Sequence, residues 1–344
     1  MIVFDYWRRT KEFILKHEKL IWVGHSVWAL TFGILVIIFF HGDFGQVRKL
    51  TLYLMALLLL LIVFDRVGQA EIESGRQKKG IKLVLNYVMK NMYQGLYFFM
   101  IPFYWEASVL DERNFLFTIV VGVLALLSTQ DLIFDNWLME NKFLRAGFYS
   151  FCLFASFDLL LPLFLPLPTN YTLPLAAFGA VFGFVILHYP KLIFKKGYLR
   201  WVILGGIAVA GGCYTIRSFV PPAPYKIGIS HLGTMRPTTQ SPPLSQGAWR
   251  IHTEDFEEKT FYMSHILESP VYPRDNFYHL WKFEGKTVKK ARVFKQKISK
   301  DTYLLWSSLS STEVGSMNLT GNWHIILNTA GDQMLKKRGF MVVK

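Results

Sequence analysis

The chain has 344 residues, 52% of them hydrophobic, with 38 Lys and Arg against 24 Asp and Glu and a net charge of +14 at pH 7. In a water-soluble chain that charge would point to nucleic acid, but here many of the bases sit in short segments between long apolar runs, which argues for a lipid bilayer and against a nucleic-acid partner. Both cysteines, Cys152 and Cys213, fall inside apolar runs, which excludes a disulfide framework.

Residues 1–19 mix Trp7, Phe13, Ile14 and Leu15 with Arg8, Arg9, Lys11, Lys16 and Lys19, the composition of an amphipathic helix lying on a cytoplasmic membrane surface. Seven apolar runs follow, at residues 20–40, 47–64, 83–105, 115–129, 146–167, 173–187 and 201–220. Most approach the ~20 residues that cross a hydrocarbon core about 30 Å thick, so they predict a seven-helix α transmembrane bundle over residues 20–220. The N-terminal segment and the second, fourth and sixth connections hold sixteen Lys and Arg, whereas the opposite loops hold three, Arg48, Lys49 and Arg113. Positively charged short loops stay in the cytoplasm, so the N-terminus is expected inside a bacterial inner membrane and the residues beyond Val220 in the periplasm.

Within the spans, Asp158 stands near the middle of the fifth. A carboxylate in hydrocarbon is costly unless paired or protonated, which marks it as a functional candidate. Lys90 is its natural partner, because with Lys82 and Asn86 it forms an i, i+4, i+8 polar stripe on the third span. His25 of the first span could join the same network. The alternative for all four is purely structural: an ion pair, a snorkelling lysine, or a helix–helix hydrogen bond. Gly179 with Gly183, and Ala208 with Gly212, have the small-xxx-small spacing of close helix packing, within the chain or in an oligomer.

Residues 221–247 begin Pro221-Pro222-Ala223-Pro224 and reach a second cluster at Pro237, Pro242 and Pro243, the composition of a periplasmic spacer, although residues 225–229 could serve as an edge strand. From residue 248 to 344 the periodicity changes to alternation. Strands are expected at 276–283, 287–298, 303–308, 323–329 and 334–343, with turns at Glu284-Gly285-Lys286 and Ala330-Gly331-Asp332, which together predict an antiparallel β-sandwich. Trp281, Phe283, Trp306, Trp323, Ile325 and Phe340 should form its core. From Arg217 onward there are eighteen Lys and Arg against ten Asp and Glu, so the exported part is itself basic.

The segments His279-Leu280-Trp281-Lys282-Phe283-Glu284-Gly285-Lys286, Leu305-Trp306-Ser307-Ser308, Gly321-Asn322-Trp323-His324-Ile325 and Gly331-Asp332 leading to Gly339-Phe340 resemble the bacterial domain of unknown function 2914. The resemblance covers residues 272–343 and implies a small exported β domain behind a multi-helix membrane region. It implies no activity. Where that family carries an arginine after the tryptophan, this chain has Ser307.

No catalytic constellation, metal-ligand spacing or cofactor fingerprint occurs, and His265, His279 and His324 are scattered among strands. The expected function is therefore a non-enzymatic inner-membrane anchor presenting a periplasmic β-sandwich to a protein or anionic envelope-polymer partner. Two other classes remain open: a transporter or membrane enzyme using an Asp158/Lys90 polar path, and a seven-helix sensor whose output a partner supplies.

Overall fold

A computed structural model describes residues 18–40, 52–57, 59–64, 79–130, 134–189, 196–239, 249–314 and 320–344. The expected amphipathic segment lies almost wholly outside these residues. So do Asp131 and the Pro242–Pro243 pair, while the side chains of His25 and Asn86 are outside the described part. Six long helices come first: α1 Glu18–Phe40, α2 Lys79–Ala107, α3 Phe115–Thr129, α4 Lys142–Phe164, α5 Thr169–His188 and α6 Lys196–Thr215. A short π-helix, Phe134–Met139, stands between α3 and α4.

The apolar runs form helices, but the seven-helix transmembrane bundle is not supported. Among the described residues only α4 and α5 are long and apolar enough to cross a membrane, and Leu30–Phe39, Leu52–Phe64 and α3 are shorter apolar helices. The reasons are physical. The 15 residues of α3 rise about 22 Å, short of a hydrocarbon core. In α2, Lys79, Lys82, Asn86, Lys90, Asn91, Gln94 and Glu106 dilute the apolar residues. In α6, Lys196, Arg200 and a series of glycines do the same.

The chain divides into two compact units. One consists of Met1–Ile101, Val121–Cys152 and Gly183–Lys191. Its core is aromatic: Tyr93, Tyr97, Phe134 and Phe148 are buried, and the Phe148 ring meets Tyr93 and Tyr97 edge-on at 4.8 and 5.1 Å. Two buried polar side chains there are satisfied by backbone carbonyls, Tyr97 Oη donating to Phe148 O (3.0 Å) and Gln94 Nε2 to Ser128 O (2.8 Å).

The second unit, Pro102–Val120, Leu153–Phe182 and Leu192–Lys344, holds the β domain. Its helical part packs through small residues. A Cβ at Gly206 would sit 2.7 Å from the Phe178 ring, and one at Gly179 would sit 2.8 Å from Phe157, so both glycines let an aromatic ring close on a backbone. Nothing approaches Gly212 in this way. The close contact on α6 is thus at Gly206, not at the Ala208–Gly212 pair.

The β domain has nine strands: β1 Lys226–Gly233, β2 Arg250–His252, β3 Phe261–Glu268, β4 Phe277–Phe283, β5 Lys286–Arg292, β6 Phe294–Lys297, β7 Thr302–Leu309, β8 Gly321–Thr329 and β9 Met334–Val343. They form a four-stranded sheet in the order β1-β3-β7-β6 and a five-stranded sheet in the order β2-β9-β8-β4-β5. Inner-face residues of both sheets share one core, where Met263 and Phe261 of β3 cluster with Trp281 of β4, Trp323 and Ile325 of β8 and Phe340 of β9. Phe283 packs partly buried against it. Trp306 is buried on the other face of β7, stacked on Phe294 at 4.5 Å with the Arg236 guanidinium 4.7 Å over its ring.

Three features differ from the expected antiparallel domain. The pairing of β2 with β9 is parallel. The single strand expected over 287–298 is two, because Val293 turns into the core and donates its N–H to Phe277 O (2.9 Å), which carries β6 into the other sheet. And β3 stands where no strand was expected, while β1 realises the edge strand offered within the spacer, pairing with β3 through a bulge between Ile227 and Ser230. The β4–β5 hairpin turns on Glu284 and Gly285, both at positive φ (45° and 81°), the conformation of a type I′ turn.

Candidate functional site

A polar cleft of about 470 Å³ in the second unit is lined by residues 105, 106 and 108–111 on one side and by Lys226, Ile227, Lys336, Lys337 and Arg338 on the other. Sequence brings these residues from three distant places. The first group is the C-terminal end of α2 and the loop after it, the second the start of β1, and the third the first half of β9. Because β2 pairs only with Met341, Val342 and Val343, residues 336–338 of β9 have β8 as their one sheet neighbour and leave the other edge open to the cleft.

Carboxylates neutralise two of the four bases. Lys226 Nζ lies 3.1 Å from Glu106 Oε2 and 3.8 Å from Glu268, and Lys337 Nζ lies 2.7 Å from Glu112 Oε1. Asn114 reinforces the rim by donating to Met334 O (2.8 Å) and accepting from Val109 N (3.1 Å). Lys336 and Arg338 are different. Arg338 rests its guanidinium 5.2 Å over Trp249 and its buried Nε has no hydrogen-bond partner among the described residues. Burial, with the neighbouring Arg338 charge, holds the Lys336 ammonium below its ordinary pKa.

Between the sheets stands a buried polar pair. The rings of His265 (β3) and His279 (β4) are 5.0 Å apart. His265 Nδ1 meets Ser230 Oγ at 2.8 Å, and His279 Nδ1 meets Ser307 Oγ at 2.6 Å, with Trp281 Nε1 donating to the same Ser307 hydroxyl (3.3 Å). Both Nε2 atoms are buried without a hydrogen-bond partner among the described residues. Burial pushes the His279 pKa down to about 3, and burial, His279 and the charges of Lys336 and Arg338 push His265 well below its ordinary value. Among the described residues no group of three or more His, Cys, Asp or Glu stands close enough to hold a metal ion.

A third cluster ties the helices of this unit to its sheets. The buried Asp275 accepts from the Thr169 backbone N–H (3.1 Å), the Thr169 hydroxyl (3.1 Å) and Tyr225 Oη (2.6 Å). Burial raises its pKa, while Tyr225, Thr169 and Lys295 pull it back. Gln333 joins in, its Oε1 2.9 Å from Thr169 Oγ1 and its Nε2 donating to Val220 O (3.1 Å). Arg217, just after α6, donates through Nε to Gly331 O (2.5 Å) and pairs with Asp332 at 3.3 Å.

The candidates singled out in the sequence fall elsewhere. Lys90 is buried in the first unit. Asp158 is buried in the second, where it accepts from Tyr104 Oη at 3.1 Å, a hydroxyl that also lies 2.6 Å from Ala155 O. Sequence reasoning did not find Lys336, Arg338, Asp275 or the His265–His279 pair as a group, and the only available signal was the basic run Lys336-Lys337-Arg338.

A family of unknown function, DUF5924, matches residues 8–259, well over half of the chain. The chain belongs to that family. The match supports a domain of unknown function but not the specific domain 2914, and it covers a different region, ending before residue 272. The DUF5924 region runs from the helices through β1 and β2, so its boundary falls inside the two-sheet domain. No curated protein and no solved structure matches the chain.

Proposed function

We propose that this DUF5924 protein is a non-enzymatic inner-membrane anchor whose C-terminal β domain, held on the periplasmic face, binds an anionic envelope polymer. The observation that carries the reading is the stretch from Lys286 to Lys300. It contains Lys286, Lys289, Lys290, Arg292, Lys295, Lys297 and Lys300 and no Asp or Glu. It forms β5 and β6, the edge strands of the two sheets, so the charge lies along one side of the domain. Lys286, Lys290, Arg292, Lys297 and Lys300 are exposed. Lysines on edge strands also guard against edge-to-edge pairing, but that needs one or two charges, whereas a continuous row suits a polyanion.

The anchor is α4 and α5, a hairpin closed at residues 165–168. Lys142 and Arg145 precede the hairpin and Lys191, Lys195 and Lys196 follow it, while the turn carries no charge, a distribution that supports a turn on the outer side. Asp275 fixes the β domain to that turn through Thr169. Large apolar residues exposed on the helices, among them Trp201 at 73%, Leu204 and Ile207, suit contact with lipid.

Full-length protein in detergent should bind an immobilised acidic polysaccharide and elute with salt. The combined variant Lys286→Gln, Lys290→Gln, Arg292→Gln, Lys297→Gln should elute at much lower salt. Unchanged elution would remove the polymer reading.

A further inference from the structure

We propose that the cleft between residues 105–111 and the β1 and β9 edges holds the phosphate of an anionic phospholipid headgroup, with Lys336 and Arg338 as its ligands. This rests on the membrane reading above and adds a site distinct from the β5–β6 row.

The first argument is charge. Glu112 and Glu106 occupy Lys337 and Lys226, yet Lys336 and Arg338 stand half-buried side by side, with no carboxylate paired to either among the described residues. Two like charges held together in a partly desolvated cleft repel each other, and an oxyanion between them would convert that repulsion into two charge-assisted hydrogen bonds. The Arg338 guanidinium is already fixed against Trp249, so little rotamer freedom is lost on binding.

The second argument is height. The cleft rim is the end of α2, and Asp275, Arg217 and Glu106 tie the ends of α5, α6 and α2 to the β domain that supplies the other wall. Around those helix ends Trp105 (54%), Leu110 (63%), Tyr171 (58%) and Tyr214 (41%) remain exposed. Trp and Tyr concentrate where hydrocarbon meets headgroups, so this ring marks the bilayer surface and puts the cleft at headgroup level. Val109, Leu110 and Ile227 add an apolar wall beside the bases, as a headgroup continuous with acyl chains requires.

The test uses the full chain in detergent and reads its thermal midpoint as phosphatidylglycerol or phosphatidylcholine is added. Phosphatidylglycerol should raise the midpoint at a concentration about 30-fold lower than phosphatidylcholine, from roughly fivefold for each of two bases near the surface. Lys336→Gln with Arg338→Gln should abolish that preference. Lys336→Gln alone, at a half-exposed position, should weaken it if the double variant does not fold. The charge-matched Lys290→Gln, Arg292→Gln variant should keep it. Loss of preference in that control would show general surface charge and overturn the site. An equal midpoint shift with inorganic phosphate would show a free-phosphate site and overturn the lipid assignment. Extraction of the protein from native membranes by alkaline carbonate would instead sink the membrane reading, whereas a carbonate-resistant protein with no headgroup preference would sink this proposal alone.

Discussion

Asp275 holds the first residue of α5, Thr169, by both its backbone N–H and its hydroxyl, although 106 residues separate the two in sequence. The carboxylate thus serves the helix's unsatisfied N-terminal donors and the β domain's Tyr225 together. Asp275→Ala would strand two donors in a buried place, the Thr169 N–H and the Tyr225 hydroxyl, while the Thr169 hydroxyl keeps Gln333 Oε1 as acceptor. At about 1–3 kcal/mol for each unsatisfied group, it should lower stability by about 2 kcal/mol or more in denaturant unfolding. Asp275→Asn keeps an acceptor oxygen and should lose less. Equal losses would show that packing, not hydrogen bonding, makes the position matter.

The His265–His279 pair makes stability depend on pH. Above about pH 6.5 both rings are neutral in the folded and the unfolded chain, and the fold has its full stability. Below that the unfolded chain takes up protons that the folded rings refuse, down to about pH 3 for His279. Stability should therefore fall with acidification across this window by up to about 1.4 kcal/mol per pH unit for each histidine. Asp275 acts in the opposite sense, since its raised pKa favours the folded state as pH falls, and one such group offsets part of the loss. Unfolding curves between pH 7.5 and 4 measure the slope. A His265→Gln, His279→Gln variant that folds should show a flatter one.

Trp323 is fully buried, with Phe283, Phe256 and Phe340 at 5.1, 5.2 and 5.8 Å around it. Trp323→Ala should destabilise the β domain by about 3–5 kcal/mol, the range for emptying a large core site. Gly285→Ala should cost about 1 kcal/mol, because φ of 81° suits glycine. Thermal unfolding followed by near-ultraviolet circular dichroism separates these losses by size, and a Trp323→Ala loss below that of Gly285→Ala would contradict the core placement.

Tyr104→Phe removes the hydroxyl that reaches Asp158 and Ala155 O. It should lower the midpoint of the detergent-solubilised protein, by about 1–3 kcal/mol if the carboxylate keeps no substitute donor. Adding Asp158→Leu should recover part of that loss, since both polar members are then gone. Strictly additive losses would separate the two residues energetically and renew interest in Asp158 as an ion-handling group.

The legible parts of this fold are those where period and turn chemistry agree. Phe277, His279 and Trp281 alternate inward as their spacing says, and Glu284-Gly285 turns where a two-residue hairpin needs positive φ. The strand β3 is hidden because His265 stands among its inward apolar residues, whereas β1 was legible only as an edge strand over residues 225–229, its continuation to Gly233 masked by a bulge. Apolarity located helices but overstated their capacity to cross a membrane, since α2 carries seven polar or charged residues among its apolar ones. The cleft was not legible at all. Its walls lie more than 100 residues apart in sequence, and nothing local in Trp105 or Lys336 announces the other.

The place of β9 constrains how this chain can be made. Every other described strand is synthesised before it, yet it sits one position in from the sheet's edge, between β8 and β2. When β2 emerges, its only described sheet partner is still some eighty residues from being translated, so the five-stranded sheet cannot grow vectorially as the chain is made. Until residue 343 arrives, β2 has nothing to pair with and one edge of β8 stays open. A holdase that shields unpaired strands should therefore matter during biogenesis, and truncation before residue 334 should leave a protease-sensitive chain even though four of the five strands of that sheet are present.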